Sequence, residues 1–166
     1  MKILIITAPN YDDTEVLYPY YRLLEAGLEP EVASFDKGMV AGKYHFTIPS
    51  NVRLEELELS QYIGLYLPGG SAPEKLRLNA SALEAVKWFM GKELPVASIC
   101  HGQQLLISAG VLQGKRATCY PGIRDDLKNA GAIYENAPVV VDGCLVTSRR
   151  PEDLPWLMRE YMKLFE

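Results

Sequence analysis

Cys100 and His101 are the residues best placed for covalent chemistry, because Ser98-Ile99-Cys100-His101-Gly102 sets a thiol and an imidazole side by side. Leu94-Pro95-Val96-Ala97 upstream reads as a short buried strand and Gln103 to Ala109 downstream as a helix, so Cys100 falls on a strand-to-helix turn. Small residues stand two before it and two after it, Ser98 and Gly102, as a nucleophile elbow requires where neighbouring backbone approaches too closely for bulk. A cysteine at a helix start also meets unpaired N–H groups and the positive end of the helix dipole, which favour thiolate over thiol. The coincidence of elbow spacing, adjacent histidine and helix start predicts a nucleophile rather than a buried structural cysteine.

Three other strand ends should converge on that thiol. After the first strand comes Asp12-Asp13-Thr14-Glu15, where Glu15 reads equally well as the third residue of a capping box and as a carboxyl aimed at the cysteine. Pro19 lies four residues on and cannot donate to the Glu15 carbonyl, which makes the first helical turn irregular. After the strand Ile63 to Leu67, Gly69 and Gly70 permit close backbone approach, and the amides of Gly70 and His101 could form an oxyanion hole. Glu74, in Ser71-Ala72-Pro73-Glu74, reads by itself as an acidic residue at a helix start.

The 166 residues suit one compact domain, residues 1–166, and are too few for two ordinary ones. A net charge of −4 without a basic run argues against a nucleic-acid surface and leaves a small molecule or a protein as partner. The apolar run Ile3 to Ile6 is too short for a signal-peptide core or a membrane span, so a cytoplasmic protein is expected. Three cysteines, Cys100, Cys119 and Cys144, at no ligand-like spacing suit a reducing compartment. With His45 and His101 as the only imidazoles, a multi-histidine metal site cannot be built, and no metal or cofactor is expected.

The elements that must carry these residues alternate in type. Strand-length runs at Lys2 to Thr7, Glu31 to Phe35, Ile63 to Leu67 and the elbow strand are separated by helical periodicity, with Val16, Leu17, Tyr20, Leu23 and Leu24 marking one face of the first helix. Asp36-Lys37-Gly38 is expected to join the second strand to Tyr44–Ile48 as a hairpin, with His45 as an exposed strand residue. A short strand near 115–118 and a helix near 124–130 follow, then a hairpin pairing Val139–Val141 with Leu145–Thr147 around Asp142-Gly143. Pro151 opens a last helix whose Trp156, Leu157, Tyr161 and Leu164 should pack on the sheet. Such repeats imply an α/β fold with a mainly parallel sheet, helices on both faces and the active crevice beyond the strands' C-terminal ends.

Cys100-His101-Gly102 after Val96-Ala97-Ser98-Ile99, with Leu67-Pro68-Gly69-Gly70 and Ala72-Pro73-Glu74, resembles the PfpI family of the ThiJ/PfpI superfamily. The likeness extends through Tyr18-Pro19-Tyr20, Tyr120-Pro121-Gly122-Ile123 with Asp125-Asp126, and Thr147-Ser148-Arg149, and so covers nearly the whole chain. It implies a flavodoxin-like three-layer sandwich in which Cys100 is the nucleophile, His101 its base, and Glu74 of a neighbouring subunit the group that orients the imidazole. That arrangement requires self-association, as a homodimer or a hexamer. Glu15 matches the acid that hydrogen-bonds the reactive thiol, and Tyr120, with Gly69, a pocket-lining position. Gln103 stands where the familiar pattern has proline, and Asn10, Asp12 and Ser71 also depart from it, which alters the rim without removing a reacting atom.

The resemblance implies an intracellular cysteine peptidase or hydrolase acting on peptides. The alternative is a glyoxalase or deglycase acting on methylglyoxal and glyoxal, in which Glu15 and His101 move the proton between carbons. A third reading is a redox-sensing stress protein or chaperone in which Cys100 oxidises.

Overall fold

The computed structural model describes residues 1–166. Its elements run β1 (Lys2–Ile6), α1 (Asp13–Glu25), β2 (Glu29–Ser34), β3 (Gly38–Ala41), β4 (Thr47–Ser50), β5 (Val52–Arg53), β6 (Tyr62–Leu67), α2 (Ala72–Leu76), α3 (Ala80–Gly91) and β7 (Val96–Ile99). Then come α4 (Gln103–Ala109), β8 (Arg116–Ala117), α5 (Arg124–Asn129), β9 (Ile133–Tyr134), β10 (Val139–Asp142), β11 (Leu145–Ser148) and α6 (Leu154–Lys163).

Seven strands form one sheet in the order β10-β11-β7-β6-β1-β2-β5, and only the β10–β11 pairing is antiparallel. Helices α1 and α6 pack on each other and on β2, β7 and β11; α3 and α4 pack together, with α3 against β6. This is the expected flavodoxin-like sandwich. Its central strands read as continuous apolar runs because both faces are covered: Ile3, Leu4 and Ile5 of β1 are all 0% exposed. Strand order reverses beside β1, and the loops after β1, β6, β7 and β11 open on the same end of the sheet, where α/β folds bind their ligands.

Local chemistry explains most boundaries. Asn79 caps α3 by accepting the Ala82 N–H at 3.0 Å. Asp12 caps α1 by accepting from Thr14 and Glu15, at 3.1 and 3.4 Å. On α6, Leu157 and Tyr161 are buried as expected, whereas Trp156 turns outward and is 47% exposed.

Several expectations are corrected. The hairpin pairs β3 with β4, and residues 42–46 form its turn, so Tyr44 and His45 lie outside any strand and His45 has a φ of 70°. The second strand pairs in parallel with β1 and with the short edge strand β5 instead. The later turn is shifted by one residue: Asp142 pairs with Leu145, leaving Gly143 and Cys144 as the loop. Leu24 of α1 is 45% exposed, and the buried face of that helix is Val16, Pro19 and Leu23. No helix is long and apolar enough to cross a membrane.

Candidate active site

Cys100 sits where β7 gives way to one turn of 3-10 helix that leads into α4. Its φ is 61°, a left-handed conformation that costs a non-glycine residue about 1–2 kcal/mol and is held by the turn around it. A Cβ on Gly102 would lie 2.3 Å from the Leu67 carbonyl oxygen, so the elbow tolerates no side chain there. The glycine expected from the spacing has this steric cause.

Glu15 is fully buried and accepts the Gly69 N–H on Oε2 at 2.6 Å. Its carboxyl faces the Cys100 thiol, and the buried Oε1 has no hydrogen-bond partner in the chain. Burial, reinforced by the Asp12 charge, pushes the Glu15 carboxyl up to about 8, against the pull of the Gly69 amide. The group therefore keeps its proton at neutral pH, with an O–H that can donate to sulfur. Pro19 leaves the Glu15 carbonyl without its helical donor, and the buried Tyr66 hydroxyl takes that place at 2.5 Å. The irregular turn is thus rebuilt by a side chain of β6, which fixes the backbone of Glu15 beside the elbow.

The thiol itself responds to opposing influences. Burial and then the facing Glu15 carboxylate push it up, while the nearby N–H groups of His101 and Gly70 pull it down. The helix-start expectation of an easily formed thiolate is corrected accordingly: burial outweighs the amides. A proton on Glu15 removes the carboxylate repulsion, so the Cys100–Glu15 pair carries one negative charge more readily than two. His101 Nδ1 lies 3.3 Å from Sγ, and the ring stacks on Tyr120 with centroids 4.6 Å apart. Burial and the Lys43 charge lower the imidazole's proton affinity, and Glu74 raises it less, so His101 is neutral at pH 7.

The pocket above the sulfur has a volume of about 710 Å³ and is lined by Glu15, Gly70, Glu74, Cys100, His101 and Tyr120 among others. Gly69, expected in the lining, sits behind it. A Cβ there would lie 2.6 Å from Glu15 Oε2 and 2.9 Å from the Cys100 Cβ, so its role is to let these groups meet. Glu74 lines the same pocket at the start of α2 but makes no hydrogen bond to His101 within the chain. Cys119 is fully buried and outside the lining.

Two supporting roles escaped sequence reasoning, and Gln103, expected to alter the rim, lies buried outside the lining instead. Gln103 is fully buried; its Nε2 donates to the carbonyls of Thr118 at 2.8 Å and Ser148 at 2.9 Å, and its Oε1 accepts from Ser98 Oγ. It thereby fastens the elbow to β11 and to the loop whose Tyr120 N–H donates to the Cys100 carbonyl. Its position three residues before the buried Leu106, a polar group on the core face of α4, was the available signal. The second support is Asp13, whose carboxylate accepts the N–H groups of Tyr44 and Phe46 at 2.9 and 2.7 Å and docks the 42–46 turn over the site. That turn brings Lys43 and Tyr44 into the lining, and Lys43 pairs with Asp12 at 2.7 Å.

A family model described as DJ-1/PfpI matches residues 1–164. The chain is 47% identical over 166 residues to "Deglycase PfpI" of Pyrococcus furiosus, covering 100% of both chains. It is 36% identical over 166 residues to "Putative cysteine protease YraA" of Bacillus subtilis, covering 99% of this chain and 98% of that one. Among solved structures, a two-domain protein from Anabaena variabilis with DJ-1/ThiJ/PfpI-like and ferritin-like domains superposes with a TM-score of 0.95 at 34% identity, over 98% of this chain and 47% of that one.

Proposed function

This chain belongs to the DJ-1/PfpI family, and we propose that its Cys100 site converts 2-oxoaldehydes such as methylglyoxal, and the adducts they form with amines and thiols, into hydroxy acids. The observation that carries this reading is the buried Glu15 carboxyl against the thiol within one chain, holding its proton at neutral pH. Sulfur adds to the aldehyde carbon as His101 takes the thiol proton, the nearby amides of Gly70 and His101 hold the developing oxyanion, and that proton then passes to the oxyanion. The hemithioacetal then loses its carbon-bound proton to neutral His101, the protonated Glu15 gives its own proton to the adjacent carbon, and the imidazolium returns a proton to Glu15. The product is a hydroxyacyl thioester on Cys100, and water releases lactate and restores the thiol. The printed name of the Pyrococcus furiosus relative supports the same chemistry.

Peptide hydrolysis is the second reading. It is favoured by the His101–Cys100 contact of 3.3 Å with Nε2 unpartnered in the chain, and by the printed name of the Bacillus subtilis relative. Here Glu74 of a neighbouring subunit would bind Nε2 and fix the tautomer, so the activity belongs to a homodimer or hexamer.

The two are separated by following lactate formation and peptide hydrolysis with fully reduced protein, without glutathione or metal, through a dilution series and in Glu74→Gln. On the carbonyl reading, lactate formation proceeds and follows protein concentration linearly. Hydrolysis on the second reading falls about a hundredfold in Glu74→Gln and is lost on dilution. Absence of lactate from protein whose Cys100 titrates as free thiol would refute the carbonyl reading.

A further inference from the structure

The charges lining the pocket are not all paired. Asp12 and Lys43 pair at 2.7 Å, and Glu15 keeps its proton at neutral pH. Arg149, just outside the lining, is spent on Asp153, with its Nε and Nη2 at 2.9 and 3.1 Å from the carboxylate, and on Asn136 at 3.0 Å. Arg150 is different: it lines the pocket, is exposed, and has neither a carboxylate within salt-bridge distance nor a hydrogen-bond partner on its side chain. Its position is nevertheless fixed. Pro151 holds it extended, at φ −163° and ψ 170°, and its carbonyl accepts the Asp153 N–H at 2.9 Å. The pocket therefore presents a carbonyl-reactive thiol and, on the same lining, one uncommitted guanidinium anchored at the end of β11.

A guanidinium fork matches a carboxylate, which it can take through two parallel hydrogen bonds. A phosphate dianion fits less well, because Arg150 is the single uncommitted cation and the Glu74 carboxylate shares the lining. At about 710 Å³ the pocket has room for a small amino-acid adduct, whereas an adducted lysine, arginine or cysteine inside a polypeptide brings no carboxylate of its own, its α-carboxyl being in a peptide bond.

We propose that Arg150 is a specificity residue that selects carbonyl adducts bearing a free carboxylate, namely adducts of free amino acids and C-terminal residues, over uncharged adducts. The inference rests on the carbonyl reading of the site. For a thiol adduct R–S–CH(OH)–CO–CH₃, the Cys100 sulfur forms a bond to the hydroxyl-bearing carbon, the R–S bond to that carbon breaks, and R–SH leaves with the thiol proton. The bound hemithioacetal then proceeds to lactate with water as co-reactant. Arg150 touches none of the reacting atoms; it holds the carboxylate of R.

The test compares kcat/KM for lactate formation from the methylglyoxal adducts of N-acetylcysteine and N-acetylcysteine amide, which differ only in the carboxylate. Wild-type protein is expected to prefer the acid about tenfold, with the preference falling toward one in Arg150→Gln and partly restored in Arg150→Lys. Because the contact is exposed, raising salt to about 0.5 M should also erode it. A ratio near one in wild type, or a ratio that Arg150→Gln leaves unchanged, would overturn the proposal while conversion of both adducts upheld the carbonyl reading. Conversion of neither adduct would overturn that reading. Protection of Cys100 from iodoacetamide by N-acetylalanine but not by its amide, lost in Arg150→Gln, reports the same subsite without turnover; equal protection by both compounds contradicts it.

Discussion

Glu15→Gln is expected to lower lactate formation by about a hundredfold to ten-thousandfold while making the protein more stable above neutral pH. Glutamine mimics the protonated acid: its carbonyl oxygen can accept from Gly69 and its amide can donate to sulfur, but it cannot give up a proton and regain it. The stability effect follows from linkage. In the unfolded chain Glu15 loses its proton near 4.5, whereas in the folded protein it keeps it to about 8, so between those values the native state binds more protons and stability falls as pH rises. The stabilisation of the neutral form is intact below 4.5 and spent above 8, where the penalty is on the order of 5 kcal/mol. Thermal unfolding of the two proteins from pH 4 to 9 checks this: the midpoints should be close at pH 4 and diverge upward in favour of the variant by pH 8. Parallel curves would mean that Glu15 is ionised in the folded protein at neutral pH, and the proton-donor role would fail.

Cys100→Ser is expected to lose at least about a thousandfold in kcat/KM for both carbonyl and peptide substrates. The hydroxyl is far harder to ionise than the thiol, and the same burial that pushes the thiol up would act on an alkoxide. His101, held neutral by burial and Lys43, can accept a proton but does not supply enough driving force to offset that difference. Steady-state rates on methylglyoxal and on a peptide check the loss. The folded structure should survive, because serine can occupy the same left-handed position at similar cost. Retention of either activity in the variant would remove Cys100 from that reaction.

The legibility of this site followed how local its causes are. The elbow was readable because its glycine and serine answer a short-range steric demand that recurs at any such turn. Glu15 was undecidable from its own surroundings because Asp12 does cap α1; what turns its carboxyl to sulfur is the Gly69 amide, 54 positions away in sequence. The same is true of Tyr66, which repairs the break that Pro19 makes from a strand 51 residues further along. The hairpin was misplaced because Tyr44–Ile48 has the alternation of a strand, whereas the Asp13 carboxylate draws the Tyr44 and Phe46 amides into a turn instead. Trp156 shows the opposite failure. It is expected on the sheet-facing side with Leu157 and Tyr161, yet α6 meets the sheet through those two, and Trp156 lies off that face.

The carbonyl chemistry of this site requires that the substrate carbon become attached to Cys100. Reduced protein mixed with methylglyoxal, quenched in acid within the first turnovers and mapped by peptide mass spectrometry, should carry one lactoyl thioester on the peptide containing Cys100, absent from Cys100→Ser. Lactate appearing while Cys100 remains unmodified at every quench time, with adducts confined to Cys119, Cys144 or surface amines, would contradict it.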